Sequence, residues 1–179
     1  MLTKILIALA VLIVIFVIVV ATRPSDFRVS RSVTISAPPS AAFEQVNDLQ
    51  KWKAWSPWEK MDPNMKQTYE GPQSGIGASS SWVGNNQVGE GRMTITESRP
   101  NELVRFKLDF IKPFAGTSTA EFTFKPEGNQ TVVTWSMFGQ NKFIGKALHM
   151  FIDCDKMIGG NFEQGLSGMK SLAEGTPKS

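Results

Sequence analysis

The stretch "LHMFIDCD", residues 148–155, carries the chain's single histidine and its single cysteine. On a helix, His149 and Asp153 would share a face at i, i+4, a spacing that suits two metal ligands, with Cys154 or Asp155 as a third. No second histidine and no CxxC pair exists anywhere. The cluster therefore reads as a polar helix or loop segment with an incidental histidine, and no metal is assigned. The same count restricts nucleophilic catalysis, because a Ser-His-Asp or Cys-His site would have to be built on His149.

Carboxylates are the next candidates. Glu90 and Glu97 are seven apart on an expected strand, which puts them on opposite faces and prevents a paired acid–base site. Glu70 is the residue that would have to approach across the sheet. Solvated strand carboxylates are the simpler reading. "GPQSGIG" and "GEG" are rich in glycine but lack the GK[ST] and strand-to-helix setting of a phosphate cradle, so turns and bulges explain them. No catalytic residue and no cofactor is assigned.

The informative set is apolar: Trp82, Met93, Phe106, Phe110, Phe122, Trp135, Phe162 and Met169, joined by "WKAWSPW", which holds Trp52, Trp55 and Trp58. A sheet–helix interface needs such side chains as core. The same residues could instead line a dry apolar cavity that accepts a guest.

The elements that position them follow from periodicity. "FRVSRSVTIS" alternates, with Phe27, Val29, Val33 and Ile35 on one face and Arg31 as the exception. Pro38-Pro39 ends that strand and opens a helix, whose apolar spacing runs on to Trp52 or Lys53 until Pro57 stops it. Strand-like segments follow: "KQTYEG", "GASSSWVG", "GEGRMTITE", "NELVRFKLDFI", "GTSTAEFTFKP" and "QTVVTWSMFG". Gly84-Asn85-Asn86 and Glu127-Gly128-Asn129 mark turns between them. In "NELVRFKLDFI", Val104, Phe106, Leu108 and Phe110 face one way and Arg105, Lys107 and Asp109 the other.

The last element is a helix whose stripe runs through Met157 or Ile158, Phe162, Leu166, Met169 and Leu172 or Ala173. Gly159, Gly160, Gly165 and Gly168 are costly there, at roughly 1 kcal/mol each against alanine. Either they admit a close neighbour or they leave the helix weak.

Ahead of this domain, Ile5 to Ala21 is an unbroken apolar run. As a helix it extends about 25 Å, slightly less than a ~30 Å hydrocarbon core. Two readings compete: a retained anchor, and a cleaved signal peptide ending near Val19-Val20-Ala21. The run exceeds the usual apolar region of a signal peptide, which favours the anchor. Arg23, Arg28 and Arg31 after the span tilt the positive-inside rule weakly toward a cytoplasmic domain. The chain's formal net charge of +3 is a small excess and gives no case for nucleic acid as a partner. One cysteine excludes an intramolecular disulfide.

With the order strand, helix, about six strands, long helix in place, "VTISAPPSAAFEQVNDLQKWKAWSPW" resembles the START/polyketide-cyclase-like superfamily, also called SRPBCC. More narrowly, the chain looks like its bacterial polyketide cyclase/dehydrase-like members with an N-terminal membrane segment. "DPNMKQTYEGP", "GIGASSSWVGN", "FTFKPEGNQTVVTW" and "DKMIGGNFEQGL" support the resemblance over about residues 27–173.

The resemblance implies an α+β helix-grip fold, in which a curved antiparallel sheet wraps a long C-terminal helix around an apolar cavity. The expected organisation is a transmembrane anchor at 1–22, a linker at 23–26, the domain at 27–173 and a flexible tail at 174–179. The expected function is membrane-tethered binding of a hydrophobic small molecule or lipid. A cyclase or lyase using a cavity-facing acid such as Glu97 or Asp109 is one alternative, and a protein-interaction module is the other. In the grip, Trp52 continues the helix stripe while Trp55 and Trp58 close one end. A membrane-belt role for the tryptophans is the competing reading, and Trp55 and Trp58 join the cavity candidates.

Overall fold

The computed structural model describes residues 1–148, 150–151 and 153–175. The apolar N-terminal run forms one helix, α1 (Leu2–Thr22), long and apolar enough by length and composition to cross a membrane. Arg23 leaves the helix with extended backbone. The linker is short and tied down: Asn141 N donates to Ser25 O at 2.8 Å, at the rim of the sheet that follows.

That sheet has seven strands: β1 (Asp26–Ile35), β2 (Lys66–Glu70), β3 (Ser79–Val83), β4 (Glu90–Arg99), β5 (Leu103–Lys112), β6 (Gly116–Glu127) and β7 (Gln130–Gln140). Its order is β1-β7-β6-β5-β4-β3-β2, and every neighbouring pair is antiparallel. β1 therefore closes against the last strand instead of the next one. The connection that frees it contains α2 (Pro39–Asn47), a 3₁₀ turn (Leu49–Ala54) and α3 (Pro57–Met61). Pro39 and Pro57 each open their helix, where the missing N–H costs nothing.

The expected helix through Trp52 breaks in two. Asp48 takes an extended backbone and its side chain accepts from Gln50 N at 3.0 Å, capping a fresh turn. The apolar spacing survives the break because Leu49 and Trp52 are both buried.

Register fixes the faces. Phe106 pairs with Ile95 and Ala120, Trp135 pairs with Phe122, and Val29 pairs with Met137, so the apolar side of every strand turns toward one surface. The long terminal helix, α5 (Cys154–Ala173), crosses that surface over β1 and β7, and α2 covers the part over β5 and β6. Phe162, Leu166 and Met169 are buried beneath α5, so the expected stripe meets the sheet. The short α4 (Phe143–Leu148) precedes α5 and contacts α1.

Three of the four helix glycines are contact points. At Gly168 a Cβ would lie 3.1 Å from Trp55 O, and at Gly165 2.9 Å from the Trp135 ring. At Gly159 it would collide with the Arg31 guanidinium. Gly160 has open space around it.

Arg31, the odd residue on the apolar face of β1, is thereby explained. It lies under α5, where it donates to Asp155 Oδ2 at 2.9 Å and Glu163 Oε1 at 2.7 Å. These two carboxylates hold the guanidinium firmly protonated.

One expectation is overturned. A register shift between Ile95 and Glu97 inserts Thr96 as an extra residue in β4. A bulge of this kind resets the alternation, so Glu90 and Glu97 share the outer face instead of opposing faces. Each is ion-paired there, Glu90 with Lys112 at 2.7 Å and Glu97 with Arg105.

Candidate functional site

The tryptophan stretch sits over the centre of the sheet. Trp52 and Trp55 are buried, and each indole N–H finds a backbone carbonyl of α2: Trp52 Nε1 donates to Val46 O at 3.0 Å and Trp55 Nε1 to Gln45 O at 3.1 Å. Their rings meet Phe106, Phe122 and Trp135 edge-on at centroid distances of 5.5–6.1 Å. Phe162 of α5 lies flat on Trp135, 4.1 Å away at 9°. Trp135 in turn stacks on Phe122 at 4.6 Å. Aromatic pairs of this geometry contribute about 0.5–1.5 kcal/mol each beyond area burial. The expected residues Trp55, Phe106, Phe122, Trp135 and Phe162 thus form one interlocked cluster, and Met169 is fully buried in the same core.

Trp135 carries the one buried side-chain polar atom among the described residues that has no hydrogen-bond partner, its indole Nε1. Leaving a buried donor unpaired costs about 1–3 kcal/mol. Its ring is enclosed by Phe122, Phe162, Trp52, Trp55 and Trp58, which present mostly carbon.

Of the other expected residues, Trp82, Met93 and Phe110 lie toward the end of the sheet where β5 turns into β6, and Trp58 lies on α3. Trp58 on α3 touches the Trp135 ring edge at 5.6 Å and is half-buried. Trp82 crosses Gly91 on the neighbouring strand, where a Cβ would be 2.5 Å from the indole, and meets Phe110 edge-on at 6.2 Å. Met93 pairs with Leu108. Phe27 lies over Gly139, with a ring carbon 3.3 Å from where a Cβ would be. Phe27, Trp58, Met93, Leu108 and Phe110 pack on the core but stay partly exposed. The ten expected side chains therefore share one side of the sheet but divide between a closed aromatic centre and a half-open apolar end.

Sequence reasoning missed the polar rim of this end. Gln67 and Tyr69 on β2 face the same side as Trp82 and Ser80, their pairing partners. Gln67 Nε2 donates to Glu59 Oε1 at 2.6 Å, linking β2 to α3, and Tyr69 OH donates to Gln67 Oε1 at 2.5 Å. Burial raises the Tyr69 phenol, with the Glu59 and Asp48 carboxylates adding to it. Asp62 ties α3 to the β3–β4 turn by accepting from Asn85 N at 2.7 Å. The alternation of "KQTYEG" places Gln67 and Tyr69 on one face, but nothing local names Glu59 as their partner.

The acids considered for catalysis are elsewhere. Glu97 pairs with Arg105, which also binds Glu121 at 2.7 Å across the outer face. Asp109 accepts from Thr117 Oγ1 at 2.8 Å and pairs with Lys107 at 2.9 Å, which holds its carboxyl below the usual range. Both belong to the strand face opposite Phe106 and Phe110. His149 lies outside the described residues, as does the side chain of Cys154. Among the described residues no group of three His, Cys, Asp or Glu side chains could hold a metal ion.

Comparison with known proteins agrees with this architecture. No curated protein matches the sequence. Among solved structures, protein CV1439 from Chromobacterium violaceum has a TM-score of 0.59 at 15% identity, covering 87% of this chain and 100% of that one. The Aha1 dimer protein from Colwellia psychrerythraea gives 0.57 at 18%, covering 84% and 99%. The di-domain aromatase/cyclase StfQ of the steffimycin biosynthetic pathway gives 0.62 at 12%, covering 84% of this chain and 51% of that one. At these identities the likeness is one of fold. Residues 26–174 match the family described as polyketide cyclase / dehydrase and lipid transport. By that match over most of its length, and by its seven-stranded helix-grip fold, the chain belongs to this family of the SRPBCC superfamily.

Proposed function

We propose that the chain is a membrane-tethered binding domain for a hydrophobic small molecule or lipid that carries a hydrogen-bond acceptor. One observation carries the reading: the unpartnered indole N–H of Trp135, enclosed by aromatic rings of which the half-buried Trp58 is the one not fully buried. A carbonyl, ester or hydroxyl oxygen reaching that donor would relieve its desolvation cost, while the guest's apolar body would cover Phe27, Trp58, Trp82, Leu108 and Phe110. The family's description supports an apolar guest. Binding is favoured over catalysis because Glu97 and Asp109 are ion-paired on the outer face. The tether is α1, read as a retained single span, with Arg23 at its end and the domain three residues away.

The test uses the full chain purified in lipid nanodiscs. Native mass spectrometry after gentle release should find an apolar molecule bound in about one equivalent, and a fluorescent fatty acid should compete for the site. A protein that is always empty and binds no apolar probe overturns the reading. Intact mass retaining Met1–Thr22 supports the anchor, and loss of that segment identifies a signal peptide.

A further inference from the structure

The apolar side chains that the folded domain leaves exposed are not scattered. Ile111, Phe114, Phe143, Ile144, Phe151 and Met157 all lie at the end of the sheet where α1 enters. Register places them there: Asp26 at the start of β1 pairs with Gln140, and the ends of β5 and β6 meet at Phe110 and Gly116 on the same edge. The opposite edge has polar turns at Arg99–Glu102 and Glu127–Gln130, with Ile76 as its isolated exposed apolar residue among those described. Such one-sided exposure marks an interaction surface.

A second observation ties the patch to α1. The Phe151 ring, 76% exposed, stacks on Phe16 of α1 with centroids 6.5 Å apart and planes at 28°. Phe16 is six residues before the helix end at Thr22, which is about 9 Å along the axis at about 1.5 Å per residue. If α1 crosses a bilayer, Phe151 is held alongside its hydrocarbon portion. Lys146 Nζ donates to Ala21 O at 3.4 Å, near the level where that helix emerges. The acids of this segment are used inside the domain: Asp153 caps α5 by accepting from Lys156 N at 3.0 Å, and Asp155 holds Arg31. Lys142, Lys146 and Lys156 are left interleaved with the apolar positions, the composition of an interfacial segment on an anionic membrane surface.

We propose that Phe143, Ile144, Phe151 and Met157, with Phe114 of the β5–β6 turn, form a second membrane contact. These side chains lie in the leaflet beside α1 and turn the half-open end of the grip toward the acyl chains. The proposal rests on α1 being a retained span and adds to it a fixed orientation of the domain on the bilayer.

The test is depth-dependent quenching of the full chain in vesicles containing phosphatidylglycerol. In a Cys154→Ala background, Phe151→Cys, Ile144→Cys and Ile76→Cys are each labelled with an environment-sensitive fluorophore. Lipids bearing a nitroxide on the acyl chain should quench the labels at 151 and 144 severalfold more than the label at 76, and aqueous iodide should give the reverse order. Equal iodide quenching at 151, 144 and 76 overturns the proposal. Shielding of 151 from both quenchers also overturns it, assigning the patch to a protein contact. Resistance of each labelled protein to carbonate extraction separates the two readings: an extracted protein removes the anchor and this contact together, whereas a retained protein with water-exposed labels removes this contact alone. Circular dichroism matching the unlabelled chain ensures that the labels report the folded domain.

Discussion

The Trp135 indole and the Phe162 ring lie 4.1 Å apart and almost parallel, joining β7 to α5 through one stacked pair. That pair is one end of a stack that continues to Phe122 and is edged by Trp52, Trp55 and Trp58. Replacing Phe162 by alanine should lower stability by about 3–5 kcal/mol, as for a large core aromatic whose site cannot collapse. Urea denaturation of the full chain in detergent measures it, and a loss below about 1 kcal/mol would mean that the helix is not held through this ring.

Trp135→Phe tests the orphan donor separately. It removes the unpaired N–H, worth about 1–3 kcal/mol in the empty protein, while giving up part of the ring packing. Stability should therefore change little. Affinity for an acceptor-bearing fatty acid should fall roughly tenfold, the value of one hydrogen bond of about 1.4 kcal/mol. Unchanged affinity would place the guest's polar group elsewhere.

Gly159 and Gly160 are neighbours with opposite environments. A methyl at Gly159 collides with the Arg31 guanidinium, whereas one at Gly160 meets nothing within 4 Å. Gly160→Ala should stabilise the protein by about 0.5–1 kcal/mol through helix propensity and a less flexible unfolded chain. Gly159→Ala should destabilise it despite the same propensity gain, because Arg31 must leave Asp155 or Glu163. Thermal melts of the two variants, compared with the parent, give the sign in each case.

Glu174 gives the C-terminal end of α5 a pH dependence. Its carboxylate accepts from Lys170 Nζ at 2.8 Å and from Ser36 N at 2.6 Å, and these bonds hold its pKa below the ordinary glutamate value. A depressed folded pKa contributes stability that is fully present above the unfolded value of about 4.3 and is lost as pH falls through the folded value. Melting temperature should therefore drop between pH 5 and acid in the parent, and Glu174→Gln should show a shallower drop. Parallel acid limbs would remove Glu174 from the account.

Trp55 and Trp58 separate packing from access. Trp55 is 2% exposed and bonded to Gln45, while Trp58 is half-buried at the rim. Trp55→Leu should cost about 2–4 kcal/mol through lost volume and lost hydrogen bonding. Trp58→Leu should leave the melting temperature close to the parent's and weaken apolar probe binding. The reverse pattern would exchange their roles.

Much of this protein was readable in one dimension. Alternation in β5 assigned Phe106 and Phe110 to one face and Arg105 and Asp109 to the other, because side chains in a strand repeat every two residues whatever surrounds them. The stripe of Phe162, Leu166 and Met169 marked the buried side of α5 by the same kind of local periodicity. The bulge at Thr96 was not readable, since a single inserted residue leaves no mark in composition and reverses every face assignment beyond it.

Nor could spacing show that Gly159 exists to seat Arg31, or that Glu59 meets Gln67 from a different element. Contacts between distant segments depend on how the sheet curves and where the helices cross it. For the same reason, local order named the aromatic residues, but only tertiary packing divided them into a closed centre around Trp135 and a half-open end at Trp82 and Phe110. The short-range rules of chain geometry determine which side chains face inward, and close packing among elements far apart in sequence decides which of those meet a neighbour and which are left for a guest.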